Sequence, residues 1–476
     1  MFKNYLITAL RNFWRNKTFS FINTIGMALG MTFCLLILLW VQDEKSKDAF
    51  HANKQLYSVY ERQYYDNRID GQYYTPGILA DEIKKKIPEV EYASGFGFIK
   101  NASFIAGEKI LKEKGNYAGK DFFSMFSYPL IQGSAKTALN APVNITLSRK
   151  MAVDFFGSPE NAMGKTIRYE NKQDFIVSAV FEDLNANASD QFDYLINWDF
   201  FLDENSWAKE WGNNGPGTYI ALRKDANPAL VEKKLTHFLD TYINEAASGF
   251  KIEMAIQRFD EKYLYSHFKN GRIDGGRIEY VHIFSITAIF ILLIACINFM
   301  NLTTARSVKR AKEIGIRKVV GAMRASLMKQ FIGEAVMLCF LSVIIAILLT
   351  IAILPLFNGL TGKNIVFPYP NYPFWLAVFG LTVVTGFIAG SYPALLLSSF
   401  NPVKVLKGSL QFSSGAVWFR KGLVVFQFIL SIVLIVGTLI ISKQVNFIQT
   451  KNIGYDKDNL LYIRGEGELA AIFCAG

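Results

Sequence analysis

The sequence predicts a membrane protein: an α-helical bundle of about five spans, with a large α+β extracytoplasmic domain inserted between the first and second. Three observations carry this. Hydrophobic residues make up 51% of the 476, with 40 Phe and a mean hydropathy of +0.20, more apolar surface than a soluble core of this size hides. Five runs are each apolar and long enough to cross a hydrocarbon core of roughly 30 Å, which takes about 20 helical residues. Charge is partitioned: residues 43–280 carry 30 Lys/Arg against 34 Asp/Glu, net −4, while the rest of the chain carries 21 against 6, net +15. The basic surplus behind the overall charge of +11 therefore lies beside the apolar runs. The one soluble region is slightly acidic, which excludes nucleic acid as a partner and leaves membrane lipid.

Ahead of the first span, Phe2, Tyr5, Leu6, Ala9, Leu10 and Phe13 recur at helical spacing, with Lys3, Asn4, Arg11, Asn12 and Arg15 on the other face. This predicts a cytoplasmic interfacial helix over residues 1–18. The first span, 19–42, is too long for the apolar region of a cleaved leader and is expected to stay as an anchor. The remaining spans are expected at 281–304, 331–357, 374–400 and 422–442. Basic clusters in the N-terminal tail, in 306–329 and at Lys404, Lys407, Arg420 and Lys421 all fall on one side if the chain starts in the cytoplasm. Residues 43–280, 358–373 and 443–476 then face outward, and 401–421 is a cytoplasmic linker. In bacteria this corresponds to the inner membrane with a periplasmic domain.

Within 43–280 the pattern alternates helices and strands. Helices are predicted over 79–87, between Thr75-Pro76 and Pro88, over 148–156, stopped by Gly157-Ser158-Pro159, and over 228–243. Strands are predicted over 174–181, 218–223 and 251–259, rich in β-branched and aromatic residues. The region contains no cysteine, since Cys34, Cys296 and Cys339 lie in predicted spans and Cys474 near the end, so its fold rests on no disulfide. Trp418-Phe419-Arg420-Lys421 before the fifth span echoes Phe13-Trp14-Arg15 before the first, and Asn459-Leu-Leu-Tyr-Ile463 echoes residues 54–59. The fifth span thus reads as the start of a second repeat, and 443–476 as the cut-short tail of a longer two-repeat protein.

Signatures of chemistry are missing. The nearest approach to a phosphate-binding loop, Gly157 to Thr166, has Pro159 where the motif needs glycine. His51, His237, His267 and His282 are scattered, with no His-Glu-x-x-His, no Cys-x-x-Cys and no Gly-x-Ser-x-Gly. No catalytic, cofactor-binding or metal-ligating residues are predicted, and the chain reads as no enzyme. Glu334, inside the third span, either pairs with a basic group or reaches headgroup water.

The most informative segment follows the second span. From Arg306 to Lys329 there are eight Lys/Arg and one acid, Glu313. Arg306, Arg310, Glu313 and Arg317 fall on one helical stripe, with Val308, Ala311, Ile314 and Val319 nearer another. Such a helix, expected over 306–324, either lays its apolar side in a groove of a cytoplasmic partner or is a positive-inside loop touching headgroups.

This segment resembles the signature of FtsX-like permease domains, the membrane subunits of MacB-type ABC transporters. Their Glu-Ile-Gly-x-x-Lys-x-x-Gly-Ala pattern is matched by Glu313, Ile314, Gly315, Lys318, Gly321 and Ala322. Further likeness lies in Ala9-Leu-Arg-Asn12, Asn298-Phe-Met-Asn-Leu302, Gly390-Ser-Tyr-Pro-Ala394 and Asn401-Pro402, and, to the MacB-like periplasmic core, in Gly164-Lys-Thr-Ile167 and Phe175 to Asp183. The resemblance implies a non-catalytic permease subunit whose ATP is bound by a separate cytoplasmic ABC ATPase, docked on the 306–324 helix through Arg306, Arg310, Glu313, Ile314, Gly315, Arg317, Lys318, Gly321 and Ala322. Charge reversal at Arg317 and Lys318 is then expected to break the docking. It further implies a dimer of permease halves or a second repeat, periplasmic or outer-membrane partners, and export of peptide, lipoprotein or drug-like substrates. An alternative is a mechanotransmitting regulator of a cell-envelope hydrolase.

Overall fold

The computed structural model describes residues 17–243, 250–305, 307–400 and 414–451. The described chain divides into two compact units: Asp43–Tyr280, and the helical segments on either side of it. The expected interfacial helix over 1–18 and most of the 401–421 linker and 443–476 tail lie outside the described residues, whose first helix, α1, is Lys17–Lys45.

The outer unit contributes α2 (Leu79–Lys86), α3 (Arg149–Phe156) and α4 (Pro228–Thr236). The helical unit continues as α5 (Arg277–Ala305), α6 (Ser307–Val319), α7 (Arg324–Thr361), α8 (Tyr372–Ser398) and α9 (Ser414–Thr450). Five of these, α1, α5, α7, α8 and α9, are long and apolar enough to cross a membrane. Two run well past the apolar limits. α7 begins at Arg324 rather than near 331, because its polar first turns find partners described below. α9 extends on both sides of 422–442, carrying Lys443, Gln444 and Asn446 as a continuation of the same helix. Met27, Met31 and Leu35 of α1, Phe299 and Met300 of α5, Cys339 and Val343 of α7 and Val378 and Ala389 of α8 share one core. α9 leaves Phe428, Ile432 and Ile435 uncovered within this chain.

The outer unit is built on one mixed sheet. Its strands are β1 (Leu56–Tyr65), β2 (Arg68–Gln72), β3 (Val90–Ala106), β4 (Lys109–Ala118), β5 (Leu130–Gln132), β6 (Asn144–Ser148), β7 (Thr166–Tyr169), β8 (Gln173–Phe181), β9 (Tyr194–Asn197), β10 (Gly217–Leu222) and β11 (Lys251–Arg258). They run in the order β11-β1-β10-β3-β4-β9-β6-β8-β5, with β2 on β1 and β7 bridging β3 and β8. Pairing is antiparallel except β4 with β9 and β6 with β8. Alternation of side chains feeds separate cores on the two faces. Tyr57 and Val59 pack with Leu79 and Ile83 of α2 and Val231 and Leu235 of α4. Leu56 turns to the other face, among Phe96, Phe126, Tyr219 and Phe259.

Local chemistry sets the helix ends. Ser148 caps α3 by accepting from the Met151 amide, and Gly157 closes it in the left-handed region at φ +82°. Ser148→Ala is expected to cost about 1 kcal/mol in denaturant unfolding. α2 carries Asp81 and Glu82 in its first turn and Lys84, Lys85 and Lys86 in its last, matching the helix dipole. The helix expected over 228–243 ends early: α4 stops at Thr236, and a short 3-10 turn, Leu239–Thr241, follows. The turn lets Leu239 join the core already holding Val231 and Leu235.

Several carboxyls are buried among the described residues of this unit, and Glu61 is the most completely enclosed. Glu61 on β1 is fully buried, and its Oε2 accepts from Gln63 Nε2 at 3.0 Å, Gln72 Nε2 at 3.3 Å and Asn214 Nδ2 at 2.6 Å. Burial pushes its pKa up to about 7, against the pull of these three donors.

Candidate coupling site

α6 and the turn after it are fixed by contacts inside the helical unit. Ile314 is buried among Leu327 and Phe331 of α7 and Ala394 and Leu397 of α8. Arg317 donates through Nη2 to Glu313 Oε1 at 2.7 Å and through Nη1 to Gln330 Oε1 at 2.7 Å. Gln330 in turn donates to Glu334 Oε1 at 3.1 Å. This relay gives Glu334 a partner on its own helix and accounts for the polar opening of α7. Glu313, Arg317, Gln330 and Glu334 line a shallow cleft floored by Ile314, Leu327 and Phe331.

Lys318 does something different. Its Nζ donates to the carbonyls of Ser398 at 2.6 Å and Phe400 at 2.8 Å, at the end of α8, where helix carbonyls lack intrahelical donors. Arg324 Nε joins it on Ser398 Oγ at 3.3 Å. Partial burial and the neighbouring Arg324 lower the Lys318 pKa. Lys318 therefore pins α6 to the foot of α8.

Beyond Val319 the chain reverses in a tight turn. The amides of Val320, Gly321 and Ala322 donate to the carbonyls of Ile316, Lys318 and Arg317, and Gly321 takes φ +96°, where a side chain would be strained. Gly321 and Ala322 thus shape the turn into α7 rather than extending α6 to 324. Arg306 lies outside the described residues, and Arg310 is placed by its backbone near the start of α6.

These contacts divide the expected site. Ile314, Gly315, Arg317 and Lys318 face inward or bond within the unit, so the apolar side that the sequence offered to a partner is partly spent on α7 and α8. Val319, expected on the same side as Ile314, is 65% exposed instead, together with Ile316 at 55% and, in the turn, Val320 at 81% and Met323 at 77%. Their apolar character was visible in the sequence, but the end of the helix at Val319 was not. What could not be seen was which face the bundle would occupy. Four exposed apolar side chains on one short element, flanked by lysines and arginines, form a surface suited to a groove in another protein.

At the outer unit, the segment continuing from α1 is held by backbone and side-chain bonds. The Asp48 amide donates to Asn187 O at 2.9 Å, Asp48 Oδ1 accepts from the Ser189 amide at 2.8 Å, and Asn187 Nδ2 donates to Ser46 Oγ at 3.0 Å. The segment leading into α5 is tied to the same place. Tyr263 Oη donates to Glu44 Oε1 at 3.4 Å, and the Arg277 guanidinium lies over the Tyr263 ring at 4.8 Å. All of these bonds lie within Asp43–Tyr280.

Comparison with known proteins gives two family matches. Residues 20–238 match the MacB-like periplasmic core domain, and residues 285–402 match the FtsX-like permease C-terminal domain. The macrolide export ATP-binding/permease protein MacB of Agrobacterium fabrum is 31% identical over 193 residues, 40% of this chain and 28% of that protein. The chain thus spans less than a third of that exporter's length. The ABC transporter permease YvrN of Bacillus subtilis is 23% identical over 414 residues, 84% of this chain and 98% of that protein. Among solved structures, a domain of a permease from Porphyromonas gingivalis aligns with 48% of this chain and 97% of that domain at 21% identity and a TM-score of 0.38. The periplasmic region of MacB from Actinobacillus actinomycetemcomitans aligns with 43% of this chain and 89% of that region, at 17% identity and a TM-score of 0.32. With a MacB-like core domain joined to an FtsX-like domain, the chain belongs to the family of MacB-like, FtsX-like ABC transporter permeases.

Proposed function

We propose that this chain is the membrane subunit through which a separate cytoplasmic ABC ATPase moves an outer domain, in the export of peptide, lipoprotein or drug-like substrates. The observation that carries this reading is the exposed apolar group Ile316 and Val319 at the end of α6 with Val320 and Met323 in the turn after it, on an element whose other side is bonded into α7 and α8. A displacement of this element is passed to two long helices at once, since Ile314 and Lys318 leave it little freedom to move alone. The basic flanks favour a cytoplasmic position for α6, in a bacterial inner membrane with Asp43–Tyr280 in the periplasm. ATP would be held by the partner, and no residue of this chain is assigned to nucleotide.

The mild purification of the full chain from its source membrane tests this. An ATP-hydrolysing subunit is expected to come with it at a stoichiometric level, and its turnover is expected to change when the permease is removed. Purification of the chain with no ATP-hydrolysing subunit at a stoichiometric level would dismiss the reading.

A further inference from the structure

Among the described residues, twelve buried side-chain atoms have no hydrogen-bond partner, and six of them lie on two helices of the membrane bundle. They are both amide atoms of Asn23 and the Thr24 hydroxyl on α1, and Asn301 Oδ1 with the hydroxyls of Thr303 and Thr304 on α5. Asn23 is 2% exposed, Thr24 4% and Thr304 2%. Threonine inside a helix ordinarily bonds back to the carbonyl four residues earlier, as Thr32 does to Ala28 and Thr350 to Ala346. Thr24, Thr303 and Thr304 depart from that habit.

The two helices place these groups side by side. A Cβ on Gly30 would come 2.6 Å from Ala295 Cβ, and one on Gly26 would come 3.5 Å from Asn298 Nδ2, so α1 and α5 run antiparallel in close contact. A step of one turn toward the start of α1 matches one turn toward the end of α5. Asn23 therefore stands level with Asn301, and Ser20 with Thr304. The same turns carry Met27, Cys296, Phe299 and Met300 into the common core, with Asn298 beside Gly26 the next polar side chain inward.

An amide shut away from both water and protein partners is expensive in a low-dielectric interior, and hydroxyls add to the cost. Such groups call for an explanation, and a second arrangement that uses them supplies one. We propose that the ends of α1 and α5 next to α6 form a polar joint with a second packing. In it α5 swings away from α1, and Asn23, Thr24, Asn301, Thr303 and Thr304 bond to water entering from the α6 side. α5 ends at Ala305 and α6 begins at Ser307, so the joint occupies the last turns before the coupling element. Its use as the first part to yield when α6 is pulled rests on the proposed function. The joint itself does not.

The test uses full-length chain in inside-out vesicles with no ATPase. Cys34, Cys296, Cys339 and Cys474 are replaced by serine, and single cysteines are introduced as Asn23→Cys, Asn301→Cys or Thr304→Cys. A membrane-impermeant maleimide is expected to label these at least about tenfold faster than Met27→Cys or Leu35→Cys, because a minor open state exposes only the polar turns. Labelling as slow as at Met27 overturns the proposal. In parallel, Asn23→Leu/Asn301→Leu is expected to raise the apparent Tm in detergent by roughly 5 °C, and to slow labelling of Thr304→Cys about tenfold. A fall in Tm, or unchanged labelling, overturns it as well. With the ATPase absent, failure of the docking reading would leave both readouts untouched.

Discussion

Val319→Asp/Val320→Asp is expected to weaken association with the partner ATPase by roughly 100-fold, corresponding to about 3 kcal/mol, while leaving the fold intact. Both side chains are well exposed, so two carboxylates there remain solvated in the free permease and are buried only against a partner. Lys318→Met provides the contrast. It removes two charge-assisted bonds to the end of α8, each worth about 1.5–3 kcal/mol, and is expected to lower the Tm with a much smaller effect on association. Charge reversal at Arg317 or Lys318, the change that the basic pattern suggested, strikes these internal bonds and would report on stability before docking. Pull-down titration of the three proteins against the ATPase, with Tm measured alongside, separates the effects. Equal loss of binding in the aspartate and methionine variants would mean that the exposed group is not the contact.

Raising the pH through neutrality is expected to destabilise the protein by way of Glu61. Its folded pKa, about 7, lies above the ordinary value of 4.5, so the folded form holds the proton more tightly than the unfolded one. The stabilisation is complete below about pH 4.5 and is lost as pH rises through 7, a swing on the order of 3 kcal/mol. Glu61→Gln keeps an acceptor oxygen for Gln63, Gln72 and Asn214 and has no charge to bury, so it should flatten that slope and be the more stable protein above pH 7. Urea unfolding of wild type and variant between pH 5 and 8 measures this. Parallel pH profiles for the two would remove Glu61 as the cause.

The fold class was readable because membrane spans and β-branched strands write themselves in composition and period. α3 is an example: Ser148 and Gly157 announce its ends, and the structure uses both as caps. Boundaries set by tertiary bonds were not readable. α7 starts before its apolar run because Gln330 and Arg324 find partners on other elements, and α4 stops at Thr236 because Leu239 must reach the core. The coupling site shows the same division. Its basic composition and its Glu-Ile-Gly pattern are local, but the inward turn of Ile314 and Lys318 depends on α8, some 80 residues away in sequence. Glu61 was silent in the sequence for a similar reason, since its surroundings come from β1, β2 and the segment before β10.

The central claim is that motion enters at the α6 turn on one side of the membrane and is delivered to a domain on the other. Two-sided labelling tests it most directly: Val320→Cys and Ile110→Cys, both well exposed, each placed in a background with the four native cysteines replaced. The account predicts that an impermeant maleimide reaches position 110 only from outside intact cells and position 320 only in inside-out vesicles. Labelling of both positions from the same side would contradict it.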